Sequence, residues 1–216
     1  MAIQPLRSGR TQLRLLALLA LLPALLAYAG ILLFGKASNV SMQFVLRDLA
    51  QTCAQIVGGL PFAVGLVSSL GYLIWMSAAA IALFTAFSEV SGPRGPVRGL
   101  LVAGGVFSLI LTLDDMFLLH DLYISQHVLY AVYAIFAVLI LFRYRPYVVA
   151  LGGPMFLVAV ALMGCSVLSD ELQEVLPFPY QTVQIFEEGA KFLGGAAWLF
   201  FWWQASAGAA KLRGMP

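Results

Sequence analysis

Charge is scarce in this chain: Asp, Glu, Lys and Arg make up 10% of its 216 residues, while 62% are hydrophobic. A water-soluble domain carries about a quarter charged residues, so this balance excludes one and points to the bilayer as the chain's solvent. Cysteine is nearly absent, with only Cys53 and Cys165. They form no CxxC pair and no His/Cys zinc spacing, which excludes a zinc module of the usual kind, and two cysteines alone do not establish a disulfide. A Gly-rich phosphate loop is missing as well, because Gly58-Gly59 and Gly104-Gly105 lack the rest of that signature. The net charge of +2 is spread over small basic clusters between apolar runs, so nothing calls for nucleic acid.

What is present is apolar run after apolar run. The pattern predicts an all-α, polytopic membrane protein with six transmembrane helices and one outer interfacial amphipathic helix. A segment over 1–12 leads into a transmembrane domain over 13–203, and 204–216 form a tail. The expected spans are about 13–34, 61–87, 99–120, 123–142, 147–168 and 181–203. Each is long enough to cross a core of about 30 Å at 1.5 Å per residue. Ala27-Tyr28-Ala29 resembles a signal cleavage site, but the run continues to Phe34, which favours a retained first span. Over 40–57, Gln43, Arg47, Gln51 and Gln55 recur every four residues opposite Phe44, Val45, Leu49 and Ile56. That is the pattern of a helix lying in the interface. Trp198, Trp202 and Trp203, near one end of the last span, suggest an interfacial aromatic belt.

Basic residues set the expected orientation. Arg7, Arg10, Arg14, Arg94, Arg98, Arg143, Arg145, Lys211 and Arg213 fall on one face of this threading, against Lys36 and Arg47 on the other. By the positive-inside rule both termini are cytoplasmic, in a bacterial-type inner membrane. The stretch 169–180, with Asp170, Glu171 and Glu174, reads as an acidic outer loop.

Two apolar runs carry charges that need explaining. One is Glu187-Glu188-Gly189-Ala190-Lys191 and the other Asp114-Asp115, followed by His120 and Asp121. An ionisable group inside a span costs roughly 2.5–3.5 kcal/mol on insertion scales, so it persists with a partner or a role. Counted from Arg98, Asp114 and Asp115 lie about 24–26 Å along their helix; counted back from Trp203, Glu188 and Glu187 lie about 23–24 Å along theirs. The depths match. Tyr180, Gln184, Glu187, Glu188 and Lys191 also form one polar stripe.

Four carboxylates and an imidazole at one level suit a divalent metal ion, with Asp114, Asp115, His120, Glu187 and Glu188 as candidate ligands. The leading expectation is a metal-dependent hydrolase acting on a membrane-borne small molecule or peptide. Glu187 and Glu188 would supply a general base, and Lys191 would stabilise developing negative charge. The alternatives are a proton- or cation-coupled transporter or channel subunit, and a structural or assembly subunit of a membrane complex. The bland counterpart is that Asp114 and Asp115 simply balance Lys191 across the bundle. Glu187-Glu188-x-x-Lys191 resembles one motif of the PrsW-type intramembrane metalloproteases, which implies glutamates in a metal-dependent peptidase site. That resemblance covers one half-helix. The family's FxxxE and HxxxD elements do not appear, since His120 is followed four residues on by Ile124 and His127 by Ala131. We treat the spacing as convergence.

The threading has a direct test. Topology reporters fused after Lys36 and Val175 are expected to report the outer side, and those after Pro93 and Arg145 the cytoplasm. A cytoplasmic signal at Val175 or an outer one at Pro93 contradicts it.

Overall fold

In a computed structural model, residues 8–48, 62–88 and 95–212 are described, with the side chains at 120, 121 and 210–212 left aside. Every regular element among the described residues is a helix. Helix α1 (Gly9–Ala37) starts at Ser8, whose Oγ accepts from the Thr11 N–H at 3.3 Å. Its Ala17–Leu21 turn is π-helical, just before Pro23. Proline has no N–H to donate and its ring crowds the carbonyl four residues back, so one wider turn accommodates it.

The short helix α2 (Met42–Leu46) is the described part of the expected interfacial helix. Arg47 is extended (φ −67°, ψ 157°), and residues 49–57 lie outside the described ones. Val45 and Leu46 are fully buried, wedged beside α1 and α3 (Leu66–Phe87). Two bonds hold this turn: the Gly65 N–H donates to the Phe44 carbonyl and Ser68 Oγ to the Leu46 carbonyl, each at 2.8 Å. Gly65 caps α3 in the left-handed region (φ 66°), where a side chain is unfavourable.

Helix α4 (Gly95–Phe117) stops where Leu118 turns left-handed, and one further turn, α5 (Leu119–Leu122), follows. Helices α6 (Gln126–Arg143) and α7 (Arg145–Leu172) come next, the latter kinked where Gly152 leaves helical geometry just ahead of Pro154. Asp170 and Glu171, expected in a loop, lie instead in the last turn of α7, because the polar end of that helix stays helical past its apolar run. The last helix, α8 (Tyr180–Leu212), is 33 residues long.

Among the described residues, α1, α3, α4, α6 and α7 are long and apolar enough to cross a membrane. This is the architecture of a helical membrane protein. Helix α8 is interrupted by Glu187, Glu188 and Lys191 and falls outside that apolar class, yet it is the centre of the bundle. It packs most extensively on α7, then on α3, and also touches α1, α2 and α4.

The aromatic groups of α8 form the deepest core. Trp198, Phe201 and Trp202 have no exposed surface, so two of the three expected belt tryptophans are interior; only Trp203 faces outward, at 47% exposure. A helix in the middle of a bundle has no lipid-facing side over most of its turns, which is why the belt reading fails for Trp198 and Trp202. Trp198 lies edge-on to Trp202 with centroids 5.3 Å apart, and Phe156 and Phe107 close around it at 5.4 and 5.8 Å. Gly104 of α4 admits the Trp202 ring: a Cβ there would fall 1.9 Å from the indole.

Gly104→Ala is therefore expected to force the ring aside and destabilise the protein by about 1–3 kcal/mol, read as a lower Tm in detergent. Gly71→Ala, where a Cβ meets nothing within 4 Å, is the control and keeps the Tm or raises it.

Candidate functional site

Helices α4, α6, α7 and α8 enclose a cavity of about 810 Å³. Its base is aromatic, formed by Phe107, Trp75 and Trp198. The Trp198 indole N–H donates to Ser108 Oγ at 2.8 Å, and that hydroxyl donates back to the Gly104 carbonyl, so both buried polar groups are satisfied. Above this base the walls turn polar and then acidic.

The two central charges meet across the bundle. Lys191 Nζ donates to Asp115 Oδ1 at 2.9 Å, as the matched depths predict. The lysine side chain is 34% exposed towards the cavity and that of Asp115 12%. Neighbouring residues on a helix point about 100° apart, so Asp114 turns elsewhere and accepts from Tyr133 Oη at 2.7 Å. Tyr130, one turn back on α6, donates to Asp170 of α7 at 3.0 Å. On the rim, His127 lies 3.1 Å from Glu171. Tyr180 accepts from Arg47 at 3.4 Å, bringing the α2 segment over the cavity mouth.

A second, water-sized space of about 20 Å³ lies behind the Lys191–Asp115 pair, between α3 and α8. Asp115, Glu188, Lys191 and Trp75 border both spaces. Tyr72 hydrogen-bonds Asp48 there. Tyr28 of α1 reaches the backbone carbonyl of Ile185 at 2.6 Å, passing over Gly189, and thereby ties α1 to α8 at the level of the site.

Of the candidate residues, the structure brings Asp114, Asp115, Glu187, Glu188 and Lys191 to one cavity. The side chain of His120 lies outside the described ones, and so does Cys53. Among the described residues, no three His, Cys, Asp or Glu side chains are grouped to hold a metal ion. The acids of α4 and α7 are divided among lysine, tyrosine and histidine partners. Sequence reasoning missed Tyr130, Tyr133 and Asp170. A signal for the tyrosines exists: Gln126, Tyr130, Tyr133 and Ala137 recur on one helical face of α6 and all line the cavity.

The fold and the cavity define a class, a multi-helix membrane protein with an acidic, aromatic-floored chamber inside its bundle. The chain belongs to the family described as Domain of unknown function (DUF8692), whose model matches residues 12–205. No curated protein and no solved structure matches it.

Removing one member of the central pair deprives the other of its hydrogen-bonded counter-charge in the bundle. Asp115→Asn and Lys191→Met are each expected to cost about 3 kcal/mol, the lower end for a buried pair because the ammonium faces the cavity. The double variant is expected to recover most of that loss in a thermal unfolding cycle. Strict additivity of the two single changes contradicts the pairing.

Proposed function

We propose that the protein captures a membrane-borne small molecule in the cavity between α4, α6, α7 and α8. In this reading α8 is a sixth crossing helix, the α2 segment lies at the outer interface, both termini are cytoplasmic and the cavity opens outward in a plasma membrane. The observation that carries it is the cavity itself. Its volume of about 810 Å³ falls within the roughly 300–1,000 Å³ typical of small-molecule sites, and an apolar base beneath polar walls matches an amphiphile.

Helix α6 offers the route. Ile140 is its one buried residue, and Val132, Ile135, Val138, Leu139 and Phe142 all face outward. Side-chain bonds from Tyr130, Tyr133 and His127 connect this wall to its neighbours. A ligand dissolved in the bilayer thus reaches the chamber beside a helix that is only lightly packed. Capture is favoured over transport by the aromatic layer of Phe107, Phe156, Trp198, Phe201 and Trp202, which fills the bundle below the cavity. The metal-dependent hydrolase reading would need a ligand set that the described side chains do not group together.

The test uses octyl amphiphiles with ammonium, trimethylammonium, hydroxyl or carboxylate head groups, titrated against the full chain in nanodiscs and read by tryptophan fluorescence. At least one is expected to bind saturably. Ala137→Trp, which fills the cavity from α6, is expected to abolish that binding, while Val138→Trp on the outward face of the same helix leaves it intact. Saturable binding that survives Ala137→Trp, or no saturable binding by any of the four, overturns the proposal.

A further inference from the structure

Four side chains that line the cavity keep hydrogen-bonding capacity open to it. Gln126 of α6 and Glu188 of α8 make no hydrogen bond to another described residue, and both are partly exposed, with their polar atoms accessible. Lys191 spends one of its three N–H donors on Asp115, and its side chain is 34% exposed. Arg47, at the mouth, makes one bond of 3.4 Å to Tyr180 among the described residues and keeps its other guanidinium donors. Donors and acceptors are thus mixed: Glu188 accepts, Lys191 and Arg47 donate, and Gln126 does both. They are also spread in depth. Tyr133 meets Asp114 beside the Lys191–Asp115 pair, and Gln126 lies seven residues before Tyr133 on α6, about 10 Å nearer the mouth.

The chamber's charges have partners within the protein. Lys191 holds Asp115, His127 lies against Glu171, and Asp114 and Asp170 each accept from a tyrosine hydroxyl. A charged ligand would add a further charge to this interior, where it is costly, and an uncharged one would not. A hydroxyl group donates and accepts at once, so it suits Gln126, Glu188 and Lys191 alike. It also suits Glu188 in either protonation state, donating to a carboxylate or accepting from a carboxylic acid. We infer that the cavity takes an amphiphile with an uncharged, polyhydroxylated head group, whose hydroxyls bridge Gln126, Glu188 and Lys191 while its tail lies between α6 and α7. This rests on the capture reading and specifies the head group. One hydroxyl meets one level of the wall; several on a single head reach from Lys191 towards Gln126. The tail has accessible apolar surface to lie on, since Ala134, Ala137, Val160, Met163 and Val167 line the cavity and each is at least partly exposed. A glycolipid and a monoacylglycerol share this chemistry.

Adding two polyols to the head-group series separates this inference from the reading beneath it. Octyl glucoside and 1-octanoylglycerol are titrated against the full chain in nanodiscs of zwitterionic lipid, at concentrations that leave the discs intact, beside the four octyl amphiphiles. At least one polyol is expected to bind about tenfold more tightly than octanol, which has a single hydroxyl, and than octylammonium or octanoate, which carry charge. The glucoside as the tighter of the two assigns a glycolipid, and the glycerol ester as the tighter assigns an acylglycerol. Gln126→Leu and Glu188→Met each remove one anchoring group and are expected to weaken the preferred polyol about tenfold and octanol far less. Octanol binding retained by these variants, and still sensitive to Ala137→Trp, shows that the chamber is intact in them. Glu188→Gln keeps an acceptor and is expected to restore most of what Glu188→Met loses, which recognition by charge would not allow. Octanol, octylammonium or octanoate binding as tightly as both polyols overturns the inference and leaves capture standing. So does an equal loss of polyol and octanol in the Gln126 and Glu188 variants. If none of these amphiphiles binds saturably, both readings fall.

Discussion

A lysine and an aspartate on different helices, 2.9 Å apart, are the constraint around which this bundle is arranged. Neither charge is tolerable alone in an apolar interior, so α4 and α8 have to meet at one depth and in one rotational setting. That setting then fixes the rest of both helices. On α4 it turns Asp114 towards α6 and the small face of Gly104 towards the Trp202 ring. On α8 it directs Gln184, Glu187 and Glu188 to the cavity and leaves the tryptophans below for the core. One pair therefore serves as the register mark for two helices that otherwise carry few directional contacts.

Below that level the bundle is held by ring packing. Trp198, Phe201 and Trp202 lie within 6.4 Å of one another by centroid and are joined by Phe156 and Phe107. Lipid is as apolar as these rings, so their burial is driven by close packing more than by exclusion of water. Helix α8 combines the two regimes, polar where it meets the cavity and aromatic where it meets α7. This division explains why it is the longest helix and still the least like a simple span.

The helical membrane class was legible from composition, because 10% charge leaves no other solvent for so many apolar residues. Much of the site was legible too: Asp114, Asp115, Glu187, Glu188 and Lys191 stand out against their surroundings, and rise per residue alone matched their depths. The partners were not. Sequence distance hides that Tyr133 and Tyr130 face acids on α4 and α7, since tyrosine at the end of an apolar run is equally at home at a membrane interface. Trp198 and Trp202 were misread for the same reason, as their place in the interior depends on α8 being central, which no property of its own residues declares. Asp170 was assigned to a loop because charge after an apolar run is the ordinary sign of a helix end. Here the helix continues to Leu172.

Helix α6 joins the bundle in an unusual manner. Only Ile140 is buried, and the helix is fastened by the side chains of Tyr130, Tyr133 and His127 together with the Phe136 ring, stacked on Phe107 with centroids 4.9 Å apart. Interdigitated cores resist deformation steeply, whereas a few polar bonds at the ends of long side chains yield over a wider range. The chamber thus has three walls set in the interdigitated core and one that joins it at fewer points. In the capture reading, the width of the chamber on that side is set by how far those side chains extend.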